Sequence, residues 1–197
     1  MPERTVLYWR RTDVAGLERL ELVVGANGIT ARGSVLCLED GGFRLDHEWR
    51  LSPDWRASSL TVRRWSAAGE DSLRLEWDGT GWRVDGARRP DLDGADEPDL
   101  SATPFCNSLP IRRLPAAAGA SLTLDTAYVD AAALTVARSR QRYDRQGRGR
   151  VRYVDLGLSA GFEADLLIDE AGLVLSYQHL FERVFPSAAA GAVFTGA

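Results

Sequence analysis

The sequence predicts a mainly β protein built on a large curved antiparallel sheet or open barrel, with little helix. Three observations predict it. Apolar and polar residues alternate in short runs along much of the 197 residues, the period of strands with one buried face. Turn residues separate these runs at hairpin spacing: Asn27-Gly28, Gly41-Gly42, Asp78-Gly79-Thr80-Gly81, Gln146 to Gly149 and Asp169 to Gly172. No ten-residue stretch carries a capped 3.6-residue period, which argues against long helices.

Taken in order, Leu17-Leu20-Leu22-Val24 leads into Asn27-Gly28, a hairpin signal in which both turn positions take positive φ, and Ile29-Ala31-Gly33-Val35-Cys37 resumes the alternation. Phe43-Leu45-His47-Trp49, Leu60-Val62-Arg64, Leu73-Leu75-Trp77 and Trp82-Val84 continue it. In the second half Ser121 to Val129 reads as a strand. Gln141 to Arg145 with Arg150 to Leu156, and Phe162 to Ile168 with Leu173 to Tyr177, read as hairpins. Ala131 to Leu134 reads as one helical turn, and Gln178 to Arg183 as a short helix. One β domain over 1–185 results, with a flexible C-terminal tail over 186–197. The segments LRLEWDGTGWRVDG and ADLLIDEAGLVLSY are each strand, acidic-Gly turn, strand. They suggest duplicated halves, 1–90 and 115–185, joined by a long loop over 86–114; hairpins that merely look alike explain them equally well. An antiparallel sheet this wide must curl or close to protect its edges, and closure beyond about eight strands leaves an interior that side chains struggle to fill.

Hydrophobic residues make up 45% of the chain and charged ones 26%, enough for a sizeable core. The net charge of −4 speaks against a nucleic-acid binder acting through bulk electrostatics. All 24 basic residues are Arg, whose planar fork suits carboxylate and phosphate. Cys37 and Cys106 fit no metal spacing. The N-terminal MPERTVLYWRR lacks a leader pattern, and no run is long enough for a membrane-spanning helix. The expected setting is therefore the cytoplasm, with both thiols free.

The least regular stretch, Trp82 to Leu114, is polar and turn-rich yet anchored by Trp82, Phe105, Leu109, Ile111 and Leu114. Long irregular stretches inside compact domains are usually functional or disordered, and disordered ones lack such anchors. Its aromatic-Gly turn, its Asp-Leu-Asp-Gly stretch and the run Asn107-Ser108-Leu109-Pro110-Ile111-Arg112-Arg113-Leu114 resemble the bacterial Putative glycolipid-binding family, a former domain of unknown function. Gln141 and Tyr143 match the family's Gln-x-Tyr pattern. Cys106 and Ser108 flank Asn107 where the family pattern leads one to expect Thr or Ser beside the Asn. The resemblance implies a curved sheet around a hydrophobic hollow, like the lipoprotein carriers of the bacterial envelope, and a glycolipid or lipid-like ligand held there without catalysis.

The expected ligand-binding residues are Asn107, Arg112, Arg113, Trp82, Tyr143 and Gln141. Asn107 can hold a bend or meet a sugar hydroxyl. If the run is extended, Arg112 and Arg113 point to opposite sides, and one can reach the hollow. The alternative for both is structural pairing with the acidic loop Asp91, Asp93, Asp96, Glu97 and Asp99. That loop lacks the twelve-residue frame and distal Glu of a calcium site. Cys106 has no His in its motif to activate it. No catalytic residue, metal or cofactor is expected. An alternative reading is an enzyme of hydrolase or isomerase type that uses His47 or His179 in the same cavity. A third is an interaction domain working through Arg138, Arg140, Arg142, Arg145, Arg148, Arg150 and Arg152, interleaved with Tyr143 and Tyr153; a solvated face is the plainer explanation. The expected partner is a small amphipathic molecule, with no nucleic acid and no stable membrane insertion, bound to a monomer or homodimer.

Overall fold

The computed structural model describes residues 2–186; the expected tail falls almost wholly outside them. The first half is an antiparallel meander of β1 (Glu3–Arg11), β2 (Gly16–Gly25), β3 (Gly28–Cys37), β4 (Phe43–Leu51), β5 (Ala57–Ser66), β6 (Gly69–Trp77), β7 (Trp82–Val84) and β8 (Ala87–Arg88). Alternation explains these strands. In β3, Ile29, Ala31, Gly33, Val35 and Cys37 face inward while Arg32, Ser34 and Leu36 face solvent. The β2–β3 turn differs in detail from expectation. Gly25 pairs with Gly28, so Ala26 and Asn27 form the turn, and only Gly28 takes a positive φ, 153°.

The second half contains β9 (Ala95–Leu100), α1 (Phe105–Arg113), β10 (Ser121–Asp130), β11 (Thr135–Gly147), β12 (Arg150–Asp155), β13 (Glu163–Ile168), β14 (Val174–Tyr177) and β15 (Phe181–Phe185). β10 to β15 again pair in sequence. β1 pairs antiparallel with β15, which joins the two meanders into one 15-stranded curved sheet whose edges are β8 and β9. β9 runs parallel to β10, an arrangement that needs a crossover, supplied here by α1.

The sheet does not close. It curls until β9 lies across from β5 and β7, and side chains bridge the seam. Trp82 Nε1 donates to the carbonyl of Ala95 at 3.0 Å, and the Ala57 N–H donates to Glu97 Oε2 at 3.0 Å. Arg113 stands 3.2 Å from Glu97 Oε1. The architecture is thus the open, curled β structure that the alternation predicts.

The irregular stretch is more ordered than its composition suggests. It holds β8, a 3-10 turn at Pro90–Leu92, β9 and α1. The Asn107 run is helical rather than extended. Phe105 through Ile111 are all buried inside the curl, so α1 has no polar face to produce a 3.6-residue signal. Pro110 lies inside it, and the N–H that proline lacks weakens the local preference for helix. Packing against the sheet therefore sustains this short helix. Gln178 to Arg183 is a turn followed by β15, in which Phe181 and Arg183 are buried on alternate positions. Pairing with β1 and β14 decides that segment against helix. Ala131 to Leu134 is a turn, with Leu134 at φ 50°.

Candidate functional site

The curl leaves a hollow of about 260 Å³ between α1, the end of β9 and strands β12 to β15. Its walls are aromatic: Tyr128 from β10, Tyr153 from β12, Phe162 before β13, Tyr177 at the end of β14 and Phe181 at the start of β15. Ring centroids stand 5.6 Å apart for Tyr153 and Tyr177, 6.1 Å for Tyr153 and Phe162, and 6.3 Å for Tyr177 and Phe181. These are mutually packed rings, so each helps to hold its neighbours in the wall. Asp99, Asn107 and Asp155 supply polar groups to the same hollow.

Behind this lining runs a buried hydrogen-bond network. The Tyr143 hydroxyl lies 2.9 Å from Asn107 Oδ1 and 3.0 Å from Gln141 Oε1, and its single proton serves one of them at a time. Gln141 Nε2 donates to Asp99, and the Cys106 thiol donates to Asp99 Oδ1 at 2.9 Å. Asp155 accepts from the Tyr153 hydroxyl at 3.1 Å and from the backbone N–H groups of Gly157 and Ser159 at 2.8 and 3.1 Å. That last arrangement holds the 157–159 turn at the rim. Burial raises the Asp99 carboxyl above the usual range. The bonds from Cys106 and Gln141 oppose the rise, and the charge of Asp155 adds to it. Burial likewise pushes the Tyr143 and Tyr153 hydroxyls up, with the Asp99 charge as the next cause, and raises Tyr128 to about 12. Burial, with the Asp99 charge as the next cause, pushes the enclosed Cys106 thiol up and away from the thiolate.

The expected ligand-binding residues fall in three places. Asn107 lines the hollow, and Gln141 and Tyr143 buttress it from behind. Trp82 is fully buried at the seam. Arg113 stands between Asp96 and Glu97, at 3.8 and 3.2 Å, and ties α1 to β9. Arg112 lays its guanidinium 3.5 Å from the centre of the Trp55 ring and donates to the Ala171 carbonyl. It borders a separate depression beside the 147–149 and 169–172 turns.

Neither His47 nor His179 lines the aromatic hollow. Trp49 Nε1 donates to His47 Nδ1 at 3.0 Å, which leaves the Nε2 hydrogen to meet Glu18 Oε1 at 2.9 Å; Thr103 Oγ1 donates to the same oxygen at 2.8 Å. Gly33 makes room for this cluster, since a Cβ there would stand 2.1 Å from His47 Nε2. His179 is exposed in a turn at φ 72°. Each hairpin arginine is engaged. Arg138 and Arg140 pair with Asp125, Arg142 with Asp144, Arg148 with Glu170, and Arg150 and Arg152 with Asp165. Arg145 donates to the carbonyls of Ile111 and Leu114. Among the described residues no group of three His, Cys, Asp or Glu side chains is placed to hold a metal, and no helix is long and apolar enough to cross a membrane. Both cysteines are free and buried.

Sequence reasoning missed Asp99 and Asp155 as partners and missed the five-ring wall. The only signal was the inward parity of Tyr153 and Tyr177 on strands whose neighbours are aliphatic.

Fold and hollow together define a class: curled-sheet proteins with a helix inside the curl and a small aromatic chamber beside it. The chain belongs to the Putative glycolipid-binding family, whose model matches residues 6–183. It is also similar to the crystal structure of a DUF1089 family protein from Pseudomonas aeruginosa. Identity is 33%, the TM-score is 0.75, and the match covers 85% of this chain and 92% of that one. No curated protein matches the chain.

Proposed function

We propose that the protein binds the polar head of an amphipathic molecule, of glycolipid type, in the aromatic hollow and does so without catalysing a reaction on it. The observation that carries this is the convergence of five rings with Asp99, Asn107 and Asp155 on one space. Flat aromatic faces cover the apolar side of a sugar ring, and carboxylate and amide oxygens accept its hydroxyl protons. Binding sites for drug-sized ligands occupy roughly 300–1,000 Å³, so a hollow of about 260 Å³ suits one head group rather than a whole lipid. The tail then lies outside, where Leu158, 56% exposed beside Ser159, offers apolar surface. The family description points to the same ligand class.

Native mass spectrometry of protein purified from its own host tests the proposal. The expected result is a retained mass that extracts into organic solvent and disappears in Tyr177→Ala. Retention of the same mass by a correctly folded Tyr177→Ala would place the ligand elsewhere and defeat the reading.

A further inference from the structure

We infer that the head group this hollow selects carries a positively charged nitrogen, as a protonated amino sugar or a quaternary ammonium group. The inference rests on the head-binding role proposed above and specifies the charge of what is bound.

Three features of the hollow carry it. Asp99 and Asp155 both border the space, and among the described residues no Arg or His lines it. An anionic head, phosphate or sulfate, would meet two carboxyl groups and no cation. Second, the aromatic walls surround the space from several strands, with Tyr153, Phe162, Tyr177 and Phe181 in a chain of ring contacts. Faces of this kind attract cations through the ring quadrupole, most strongly where water is excluded. Third, the guanidinium packed on the Phe181 wall is already committed. Arg11 stands 5.6 Å from the centre of the Phe181 ring but pairs with Asp13 and Glu39 at 2.5 and 2.6 Å. Its charge is therefore matched outside the hollow. An entering ammonium would meet carboxyl groups that have no cation of their own there. Burial raises the Asp99 carboxyl, and a bound cation would favour its ionised form.

Titration calorimetry on the full chain, with glucosamine and tetramethylammonium set against glucose, N-acetylglucosamine and glucose 6-phosphate, tests the charge. The two cations are expected to bind at least about tenfold more tightly than the neutral sugars, and the phosphate most weakly. Asp99→Asn keeps the shape and the acceptor for Gln141, so it should weaken the cations about tenfold more than it weakens the neutral sugars and thereby erase the preference for glucosamine over glucose. A thermal melt of the variant establishes that it folds. Equal binding of glucose and glucosamine overturns the charge inference and leaves head-group binding standing. Binding of none of the five probes overturns both. Preferential binding of glucosamine alone assigns an amino sugar, and of tetramethylammonium alone a quaternary head.

Discussion

The two meanders share one sheet and differ inside. Under β1 to β8 the interior is solid: Trp9, Leu20, Leu45, Trp49, Leu60, Leu75 and Trp82 are all fully buried. Phe105 of α1 reaches into that side, 5.8 Å from Trp49 and 6.4 Å from Trp55 between ring centroids. Under β10 to β15 the core mixes aliphatic residues such as Leu124, Val151 and Leu166 with tyrosines, Gln141 and Asp155, and the helix presents Asn107 to them. Aliphatic side chains interdigitate to crystal-like density. Rings with polar tips must instead keep those tips hydrogen-bonded, and they frame a gap. One half serves as scaffold and the other as chamber, with α1 as the wall between them.

Damage to the solid half should have the largest effect on stability. Trp49→Ala removes a fully buried indole and the donor to His47 Nδ1. It should destabilise by about 3–5 kcal/mol in a denaturant titration. Tyr177→Phe in the chamber should change stability by less than about 1 kcal/mol and act on ligand affinity instead. A large stability loss from Tyr177→Phe would erase the distinction. Gly33→Ala follows in size, because its Cβ would collide with His47 Nε2 at 2.1 Å and with Glu18 Oε1 at 2.9 Å. Overpacking there should lower stability by about 1–3 kcal/mol, read as a lower melting temperature.

The seam between the halves gives a smaller, pH-dependent effect. Glu97 is 1% exposed, and burial raises its carboxyl from 4.5 to about 7 despite the opposing charges of Arg113 and Arg56. A carboxyl whose folded pKa is raised favours folding when protonated. Its contribution is complete below about 4.5 and is lost as pH rises through about 7. The melting temperature should therefore climb as pH falls from 8 towards 5. Glu97→Gln should flatten most of that slope, with the part due to Asp99 left in place. A slope that survives Glu97→Gln intact would assign it to other groups. Least of all, Arg148→Glu should leave the unfolding midpoint unchanged, since Arg148 and Glu170 are 94% and 95% exposed at 3.6 Å and such pairs contribute little.

Much of this architecture was legible in the sequence. Period-two alternation marked the strands β2 to β6 and β10 and the hairpins of β11 to β14, although Leu17, counted in the β2 run, faces solvent, and sheet width alone implied a curl. Two elements escaped for physical reasons. α1 is buried on all sides and contains Pro110, so neither periodicity nor propensity marked it. β9, ADEPDL, is an edge strand rich in charge and proline, the composition by which edges avoid further pairing, and it reads as loop. The site was less legible. Asn107, Gln141 and Tyr143 stood out through family resemblance. Asp99, Asp155, Tyr153 and Tyr177 are scattered along the chain and meet only because the sheet curls, so no local motif announces them. Arg112 and Arg113, prominent as a pair, have their guanidinium groups engaged at Trp55 and at Glu97.

The measurement that bears most directly on the scaffold-and-chamber account is a crystal structure of the protein saturated with its co-purified lipid or with glucosamine. The account predicts the head group in the hollow against Tyr153 and Tyr177, within hydrogen-bond reach of Asn107 or Asp99. A head group seated instead in the larger charged groove of about 820 Å³ on β2 to β6, beside Arg63 and Arg74, with the chamber unchanged, would contradict it.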